Sequence, residues 1–416
     1  MRPDHWRSSV LSEVVDQSGG LQTGPFGSQL HASDYAPEGI PVLMPRDLVG
    51  NVICSASAAR VSQEKAAQLA RYQLRAGDII LARRGQIGRC ALVTSAEDGW
   101  VCGTGCLRIR PATTSVCSEF LIQLLQWQGT VGWLMANAVG QTMKNLSMRI
   151  LAELPIGLPP LVIQERIAEI LASVDETISA TRLVIEKNAT IKRGLLSHLL
   201  THGTAARITG PPRQRDRRPG SGLPQGWGLR PIGELCTFAN GYGFKAREWS
   251  PTGLPIIRIQ NLNGSRAFKY FAGRPRERYT VEPDELLFAW AGVKGVSFGP
   301  RLWDGPPGVL NQHIYRVRPR EKISKLWLFE TLHRVTRAIE TRAQGFKSSL
   351  QHIRKADITE HVVAVPPYEE QCAIAERSAF FSEMEAIEQS NLEGLVKMKH
   401  ALMSDLFSGR VRVASP

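Results

Sequence analysis

The sequence lacks any apolar run long enough to cross a membrane, although 43% of its 416 residues are hydrophobic. A membrane-spanning helix needs about 20 consecutive apolar residues. The opening stretch, MRPDHWRSS, also lacks the apolar core of a secretion signal. We therefore expect a cytoplasmic protein with no membrane partner. A chain of this length exceeds what one hydrophobic core can organise, so we expect two or more domains.

Motifs of the common catalytic sites are also missing. The glycine-containing stretches GQIG and AGVKG have neither the lysine context of a phosphate-binding loop nor GxGxxG spacing. HExxH does not occur, and only Pro283 and Asp284 resemble the start of a nuclease motif. Residues 366–368 read Pro-Pro-Tyr, as in the adenine-methyltransferase signature, but Val365 replaces its hydrogen-bonding Asn. We expect no catalytic activity from this chain.

Cysteines are few and scattered. The sequence has seven, and the only close pair, Cys102 and Cys106, has no second Cys or His pair at ligand spacing. An odd, unpaired set is typical of reduced thiols. We expect buried cysteines that pack as small apolar side chains, and no metal site.

Charge is strongly biased to one sign. The formal net charge is +13 and the sequence pI is about 9.6, which favours a polyanionic partner. Nucleic acid is the first candidate, because no basic amphipathic helix with an aromatic face indicates membrane-surface binding.

The chain contains an internal repeat. LPIGLPPLVIQERIAEIL, around Pro160, is matched by HVVAVPPYEEQCAIAERS, around Pro367, and Gln164 and Gln371 are 207 residues apart. Matching segments precede both: IPVLMPRDL and LPIIRIQNL, GDIILARRGQIG and DELLFAWAGVKG, CLRIRP and IYRVRP. Since proline is tolerated at a helix entrance, each Pro-Pro pair predicts the start of a helix after short β-like runs.

Each copy closes with an apolar stripe at helical spacing. The stripe residues are Ile167, Leu171, Val174, Ile178, Ile185, Leu195 and Leu199 in the first copy, and Ile374, Phe381, Met384, Ile387, Leu395, Met398, Leu402 and Leu406 in the second. Helices of about 37 residues would be roughly 55 Å long. We expect the two helices to pair as an antiparallel coiled coil; the alternative is that each packs on its own domain.

These observations predict an α+β protein with two repeated β-rich domains, each followed by a long helix. The expected boundaries are residues 1–157 for the first domain, 158–202 for the first helix, 203–224 for an arginine-rich linker, 225–364 for the second domain and 365–410 for the second helix. The linker is rich in Pro and Gly, which indicates an exposed connection whose arginines could contact phosphate.

Loops after the β-like runs carry cations and planar polar side chains, which hold phosphates and read base edges. The candidate DNA-binding residues are Arg46, Arg83, Arg84, Gln86, Lys144 and Asn145 in the first copy, and Arg258, Gln260, Asn261, Lys294, Lys347 and Ser348 in the second. Two copies with dissimilar loops would read two different short sequences.

With these segments in view, the sequence resembles the specificity (S) subunits of type I restriction-modification systems. The resemblance rests on GPFGSQLHASDY, GDIILARRGQIGR, CGTGCLRIRP, QTMKNLS and the two Pro-Pro segments, and it covers essentially the whole chain. The second copy departs more from the family pattern, since Phe-Lys-Ser-Ser at residues 346–349 stands where residues 142–145 read Thr-Met-Lys-Asn.

The resemblance implies two target recognition domains, each reading half of a split site in double-stranded DNA, with the helices as a spacer. It implies two methyltransferase subunits as partners, which carry S-adenosylmethionine and methylate adenine at N6, and translocase-nuclease subunits that join them. This chain itself would bind no cofactor. Two other interpretations are an adenine methyltransferase with a degenerate motif and a nucleic-acid-binding scaffold built on the coiled coil.

Overall fold

A computed structural model describes residues 6–140, 145–204, 223–293, 295–342 and 351–413, which form two compact units. The first unit consists of residues 1–183 and 389–416, and the second of residues 184–388. Each unit therefore contains one β-rich domain and a part of each of the two long helices. No helix among the described residues is long and apolar enough to span a bilayer.

The first β-rich domain consists of short strands with four helices among them. The strands are β1 (Arg7–Val10), β2 (Leu21–Thr23), β3 (Tyr35–Ala36), β4 (Ile40–Leu43), β5 (Leu48–Val49), β6 (Val52–Ile53), β7 (Ala59–Val61), β8 (Ile79–Ala82), β9 (Cys90–Leu92), β10 (Val101–Cys102), β11 (Cys106–Ile109) and β12 (Pro155–Leu158). The helices are α1 (Gln63–Gln68), α2 (Ser118–Gln126), α3 (Gln128–Asn137) and α4 (Met148–Ala152), and the long helix α5 (Leu161–His202) follows.

The second β-rich domain repeats this order. Its strands are β13 (Gly228–Pro231), β14 (Cys236–Asn240), β15 (Leu254–Ile257), β16 (Lys269–Phe271), β17 (Thr280–Val281), β18 (Leu286–Ala289), β19 (Ala291–Gly292), β20 (Gly299–Leu302), β21 (Gly308–Leu310), β22 (Ile314–Pro319), β23 (Gln351–His352) and β24 (Val362–Val365). Its helices are α6 (Ile232–Leu235), α7 (Ile259–Leu262), α8 (Lys325–Arg342) and α9 (Lys355–Thr359), and the long helix α10 (Tyr368–Ser408) follows.

The two domains share one sheet topology. In the first, a four-stranded sheet has the order β2-β11-β8-β9, and a second sheet pairs β4 in parallel with β10. In the second, the corresponding sheets are β14-β22-β18-β20 and one that pairs β15 in parallel with β21. An antiparallel pair joins the first and last strands of each domain, β1 with β12 and β13 with β24. The predicted duplication is therefore a duplication of fold.

The apolar runs form the centres of these sheets. Every residue of β8 and of β18 is buried, as expected for strands covered on both faces. The offset of 207 residues between the Pro-Pro segments also relates β8 to β18 and the start of α2, at Ser118, to the start of α8, at Lys325. The helical run of the first copy differs from the sequence-based expectation, because it breaks at Trp127, whose extended backbone separates α2 from α3.

A buried glutamine joins each long helix to its own domain. The Gln164 Oε1 atom accepts the Cys117 amide at 2.9 Å, and its Nε2 atom donates to the carbonyl of Pro159 at 2.9 Å. Gln371 makes the same two contacts, with the Ser324 amide at 2.9 Å and the Pro366 carbonyl at 2.9 Å. Each glutamine is 1% exposed. Gln164 thus satisfies the amide before α2 and a carbonyl at the start of α5. Gln371 does the same for α8 and α10.

The prediction that each helix begins at a Pro-Pro pair is confirmed, since α5 starts at Leu161 and α10 at Tyr368. The helices contain 42 and 41 residues, so each is roughly 60 Å long and longer than the sequence indicated. Helix α5 contributes its first part to the first unit and its last part to the second, whereas α10 does the reverse.

The helices are antiparallel within each unit. In the first unit, Lys399 Nζ donates to both carboxylate oxygens of Asp175 at 2.7 Å, while the start of α5 packs with the end of α10 through Leu171 and Leu406. In the second unit, Lys192 Nζ donates to Ser382 Oγ at 2.6 Å. Lys192 and Lys399 are 207 residues apart, so they occupy the same position of the repeat. Each of them binds a residue of the other long helix across the interface between α5 and α10, which we call the seam. The expected antiparallel pairing is confirmed.

Three residues of the predicted stripe on α10 were placed wrongly. Met384, Ile387 and Met398 are exposed by 36%, 54% and 50%. Between Ser378 and Lys399 the buried or half-buried positions of α10 fall mainly at 3/4 spacing, and they include Glu385, Glu388 and Lys399. Polar residues therefore occupy part of the seam, where we had assigned neighbouring apolar residues to it.

The two seam lysines predict unequal stability effects. Among the residues that the structure describes, replacing Lys399 with Met leaves Gln123 as the partner of the Asp175 carboxylate, with its Nε2 atom donating at 2.8 Å. The change should lower the free energy of unfolding by about 1–3 kcal/mol. Lys192→Met is the matched control. It removes the hydrogen bond to the Ser382 hydroxyl and should lower the free energy of unfolding by less than about 1 kcal/mol. Urea denaturation of both variants measures the difference, and an equal or larger cost for Lys192→Met would contradict it.

Candidate nucleic-acid interface

Three loops of the first domain meet where β8 ends. The Arg83 amide, directly after β8, donates to the Gly105 carbonyl at 2.9 Å, and the Leu146 amide donates to the Arg83 carbonyl at 2.9 Å. Gly24 brings in a fourth segment, because a Cβ atom there would lie 2.0 Å from the Gly103 carbonyl oxygen. Only glycine permits that approach. The loops are thus held together by backbone contacts that do not depend on their outward side chains.

The turn that carries Arg46 lies against the same loops. Arg89 Nη1 donates to the carbonyls of Pro45 at 3.2 Å and Leu48 at 2.9 Å. Asp47 is 1% exposed and accepts the Met44 amide at 2.8 Å, so it fixes the turn. The Arg46 side chain is 65% exposed. Arg46 therefore points into solvent from a rigid support.

The structure brings Arg83 and Asn145 together. Arg83 Nε donates to Asn145 Oδ1 at 3.1 Å, and the guanidinium carbon lies 5.6 Å from the centre of the Phe26 ring. Burial, and then the neighbouring Arg84, lower the pKa of Arg83. Arg84 is exposed. A guanidinium held on one side by an amide and over a ring has its outer N–H groups fixed in direction, as bidentate recognition of guanine requires.

The second domain builds the same loop frame from different side chains. Trp290 follows β18 as Arg83 follows β8; its amide donates to the His313 carbonyl at 3.2 Å, and its carbonyl accepts the Ile353 amide at 2.9 Å. His352 pairs with Ala291 across β19 and β23, just as Asn145 bridges Arg84. The structural equivalent of Asn145 is therefore His352. Our matching of residues 142–145 to residues 346–349 was wrong, because the strand pairing sets the register.

An aromatic and imidazole cluster replaces the arginine and amide. The Trp290 ring stacks on Tyr315 at 5.8 Å between centroids, and it contacts His313 at 5.1 Å and His352 at 5.7 Å. Burial, and then the nearby His352, lower the pKa of His313. A neutral imidazole can donate through one ring nitrogen and accept through the other. The His313 Nδ1 atom is buried, and its Nε2 atom lies 3.2 Å from Gln312 Nε2, whereas His352 is exposed. The accessible imidazole of the cluster is therefore that of His352, beside stacking surfaces.

Of the three candidates around α7, one is structural. Asn261 is 2% exposed; its Oδ1 atom accepts the Arg258 amide at 2.9 Å, and its Nδ2 atom donates to two carbonyls of the next loop. It takes the role that Asp47 has in the first domain, and its hydrogen-bonding groups are occupied, so our assignment of Asn261 to a DNA contact was wrong. Gln260 is exposed at the position equivalent to Arg46, and Arg258 is half-buried.

The remaining candidates divide between exposed and undescribed residues. Gln86 is exposed in the turn after Arg84. Lys144, Lys294, Lys347 and Ser348, like the linker arginines, lie outside the described residues. The sequence-based prediction did not include Phe26, Trp290, His313 and His352, because it rested on cations and planar polar side chains. The tryptophan directly after the strand-like run, in LLFAWAG, was the available signal.

The close cysteine pair is buried. Cys102 and Cys106 are fully buried, and burial raises the pKa of the Cys102 thiol to about 12. Such a thiol stays protonated near neutral pH, which does not suit a metal ligand. The described residues contain no group of three or more His, Cys, Asp or Glu side chains that could hold a metal ion.

Comparison with known proteins agrees with the fold. The family described as Type I restriction modification DNA specificity domain matches residues 3–192 and 224–395. A relative in Methanocaldococcus jannaschii, the putative type I restriction enzyme MjaX specificity subunit, is 24% identical over 99% of this chain and 95% of its own length. The type I restriction enzyme EcoBI specificity subunit of Escherichia coli is 27% identical over 34% of this chain and 30% of its own length.

Two solved structures share the fold. The crystal structure of the type I restriction-modification S subunit from M. genitalium covers 98% of this chain and 97% of its own, with a TM-score of 0.55 at 16% identity. A structure from work on complex assembly and conformational transition of the type I R-M system covers 99% of this chain and 100% of its own, with a TM-score of 0.57 at 20% identity.

Proposed function

Because the chain belongs to the type I restriction modification DNA specificity family, and is thus a DNA-recognition subunit and not an enzyme, we propose that it reads a split site in double-stranded DNA. Residues 1–157 recognise one half and residues 225–364 the other. The helical segments 158–202 and 365–410 set the distance between the halves, and residues 203–224 connect the copies.

One observation carries the proposal: an invariant loop frame presents different chemistry in the two domains. The residue after the central strand is Arg83 in one and Trp290 in the other, and the residue paired across the next loop is Asn145 in one and His352 in the other. A duplication that served only stability would not need to change its exposed loop tips. Two readers of different base sequences would.

The proposed contacts divide by rigidity and exposure. In the first domain, the buttressed pair Arg83 and Asn145 reads base edges, while Arg46, Arg84 and Gln86, which are exposed, hold phosphates or flanking bases. Lys144 adds a cation beside Asn145. Salt-dependent affinity follows from the phosphate contacts.

In the second domain, the exposed His352 reads base edges beside Trp290. Gln260 and Arg258 take the place of the Arg46 turn. Lys294, Lys347 and Ser348 contact the phosphate backbone of the DNA. Loss of one base-edge contact should cost about 1–3 kcal/mol at the matching position, whereas loss of a phosphate contact weakens binding to all sequences alike.

The chain acts in the cytoplasm with two methyltransferase subunits, which bring S-adenosylmethionine, and with translocase-nuclease subunits. It binds no cofactor itself. An apolar stripe on α10 supports helix docking by a partner: Phe380, Met384 and Ile387 follow i, i+4, i+7 spacing and are exposed by 59%, 36% and 54%. Exposed apolar stripes of this kind are typical of interaction faces.

The main prediction concerns the split site. Selection from a random DNA pool by the chain with its methylating partner should return one duplex with two short conserved blocks. Scrambling either block should remove most of the affinity, measured by fluorescence anisotropy at fixed salt. Equal binding of all duplexes, or a single uninterrupted block, would refute the proposal.

Residue substitutions should separate the two blocks. Arg83→Ala and Asn145→Ala are expected to relax one block of the selected sequence and leave the other unchanged. His352→Ala should do the reverse, since it occupies the equivalent place in the other domain. Arg149→Ala is the matched surface control, because among the described residues Arg149 on α4 forms an ion pair with Glu153, directly after the helix. Relaxation of both blocks by a single substitution would contradict the assignment.

The helices should control spacing alone. A seven-residue insertion after Ala180, with a second near Gln389 to keep the pair in phase, lengthens the helices by roughly 10 Å, or about 3 base pairs. The selected spacer should change while both blocks keep their sequences. Sequencing of the selected pool measures this, and altered blocks with an unchanged spacer would contradict it.

A further inference from the structure

An arginine-rich pocket lies in the first domain at the opposite strand ends from the proposed DNA-reading loops. Strands β2 and β8 begin beside the pocket, at Leu21 and Ile79, and β11 ends beside it, at Ile109. The DNA-reading loops lie at the other ends of these strands, about 10 Å or more away. The cavity has a volume of about 490 Å³, and four guanidinium groups line it, those of Arg71, Arg75, Arg108 and Arg110. The lining contains one carboxylate, Asp98.

Arg108 is the buried floor of this pocket. It is 4% exposed, and its guanidinium donates to three backbone carbonyls: those of Arg71 at 3.0 Å, Gln73 at 2.9 Å and Gly19 at 2.8 Å. Its Nε atom has no hydrogen-bond partner among the described residues. Burial, and then the charge of Arg110, lower its pKa. A cation held only by carbonyl dipoles leaves a positive field in a partly dry site.

The positive charge of the pocket is only partly neutralised locally. Arg110 is paired, since its Nε and Nη2 atoms donate to Asp78 at 2.7 and 2.6 Å. Arg71 donates to the neutral Gln22 side chain at 3.2 Å, and Arg75 is exposed. Asp98 accepts the Ala76 amide at 3.0 Å. Asp16 also interacts with Arg110 and Arg75, so with Asp16 and Asp78 counted beside Asp98 the four arginines exceed the nearby carboxylates by one charge.

The second domain supplies an internal comparison. Arg316 is also 4% exposed, and its guanidinium also donates to carbonyls of the equivalent turn, those of Glu277 and Thr280. Unlike Arg108, it has a carboxylate partner, with Nε 3.5 Å from Glu285 Oε1. The offset of 207 residues also places Glu282 where the first domain has Arg75. The same offset makes Asp78 the counterpart of Glu285, but Asp78 binds Arg110. The buried arginine therefore has a direct carboxylate partner in the second domain and none among the described residues in the first.

We propose that the first-domain pocket binds a phosphate group, as free phosphate or on a small molecule. Guanidinium groups bind phosphate oxygens through paired N–H donors, and Arg71 and Arg75 can close on an anion above Arg108. The cavity is concave and larger than one phosphate, so it admits an attached small group. The bound anion takes the place that the Glu285 carboxylate has beside Arg316 in the second domain, because the equivalent Asp78 is held by Arg110. This inference does not depend on the assignment of the DNA-reading loops.

The test is calorimetric titration of the full chain with inorganic phosphate at constant ionic strength, with AMP as a second probe. Arg75→Glu copies the charge of the second domain, and Arg71→Gln removes one donor without adding an acid. Each should weaken phosphate binding at least tenfold. Arg377→Glu, an equal charge change at an exposed position of α10, is the control and should leave binding unchanged. Tighter binding of AMP than of phosphate would assign the attached group to the pocket as well.

Three outcomes would overturn the proposal: no saturable phosphate binding, equal loss in the Arg377→Glu control, or unchanged binding in both pocket variants. Displacement of phosphate by the selected DNA duplex would also overturn it, because the pocket would then belong to the DNA interface. Circular dichroism establishes whether each variant is folded. If Arg75→Glu misfolds, phosphate binding by Arg71→Gln decides the test.

Discussion

The constraint on which the structure depends is the attachment of each long helix to its own β-rich domain through one buried glutamine. Gln164 and Gln371 each accept the amide ahead of the domain's main helix and donate to a proline carbonyl at the entrance of the long helix. Loss of such a side chain would leave buried backbone groups without partners, which is costly. These hydrogen bonds therefore fix the direction in which each long helix leaves its own domain.

On this frame the two domains carry different side chains at the exposed loop tips. Backbone contacts hold the loop tips after β8 and β18 in the same arrangement, whether the tip is Arg83 or Trp290. The buried arginines Arg108 and Arg316 are kept in the same place, although the charge around them differs. Binding chemistry can change at such positions at little cost in stability, because the residues that hold the fold are different ones.

The seam between the helices follows the same logic. A purely apolar seam would permit neighbouring registers of similar stability, whereas a lysine that must meet an oxygen favours one. Lys399 meets Asp175, and Lys192 meets Ser382. Glu385 and Glu388 are half-buried on α10, at positions that an all-apolar stripe would fill. Specific pairing of the helices therefore rests on a few polar contacts between apolar layers.

The sequence by itself determined the duplication, the helix entrances, the β-rich character of both copies and the family, because Pro-Pro punctuation, helical spacing and repeated segments are local patterns. It also predicted Arg46, Arg83 and Asn145 as DNA-contacting residues, and that assignment stays a prediction. Only the tertiary structure decided that Asn145 corresponds to His352, that Asn261 is buried, and that Met384 lies outside the seam. The first two facts depend on which strands and loops pair, and the third depends on a shift of one residue in the buried face of α10. The neighbours of a side chain across a sheet or a helix pair come from distant segments, so its own segment does not encode them.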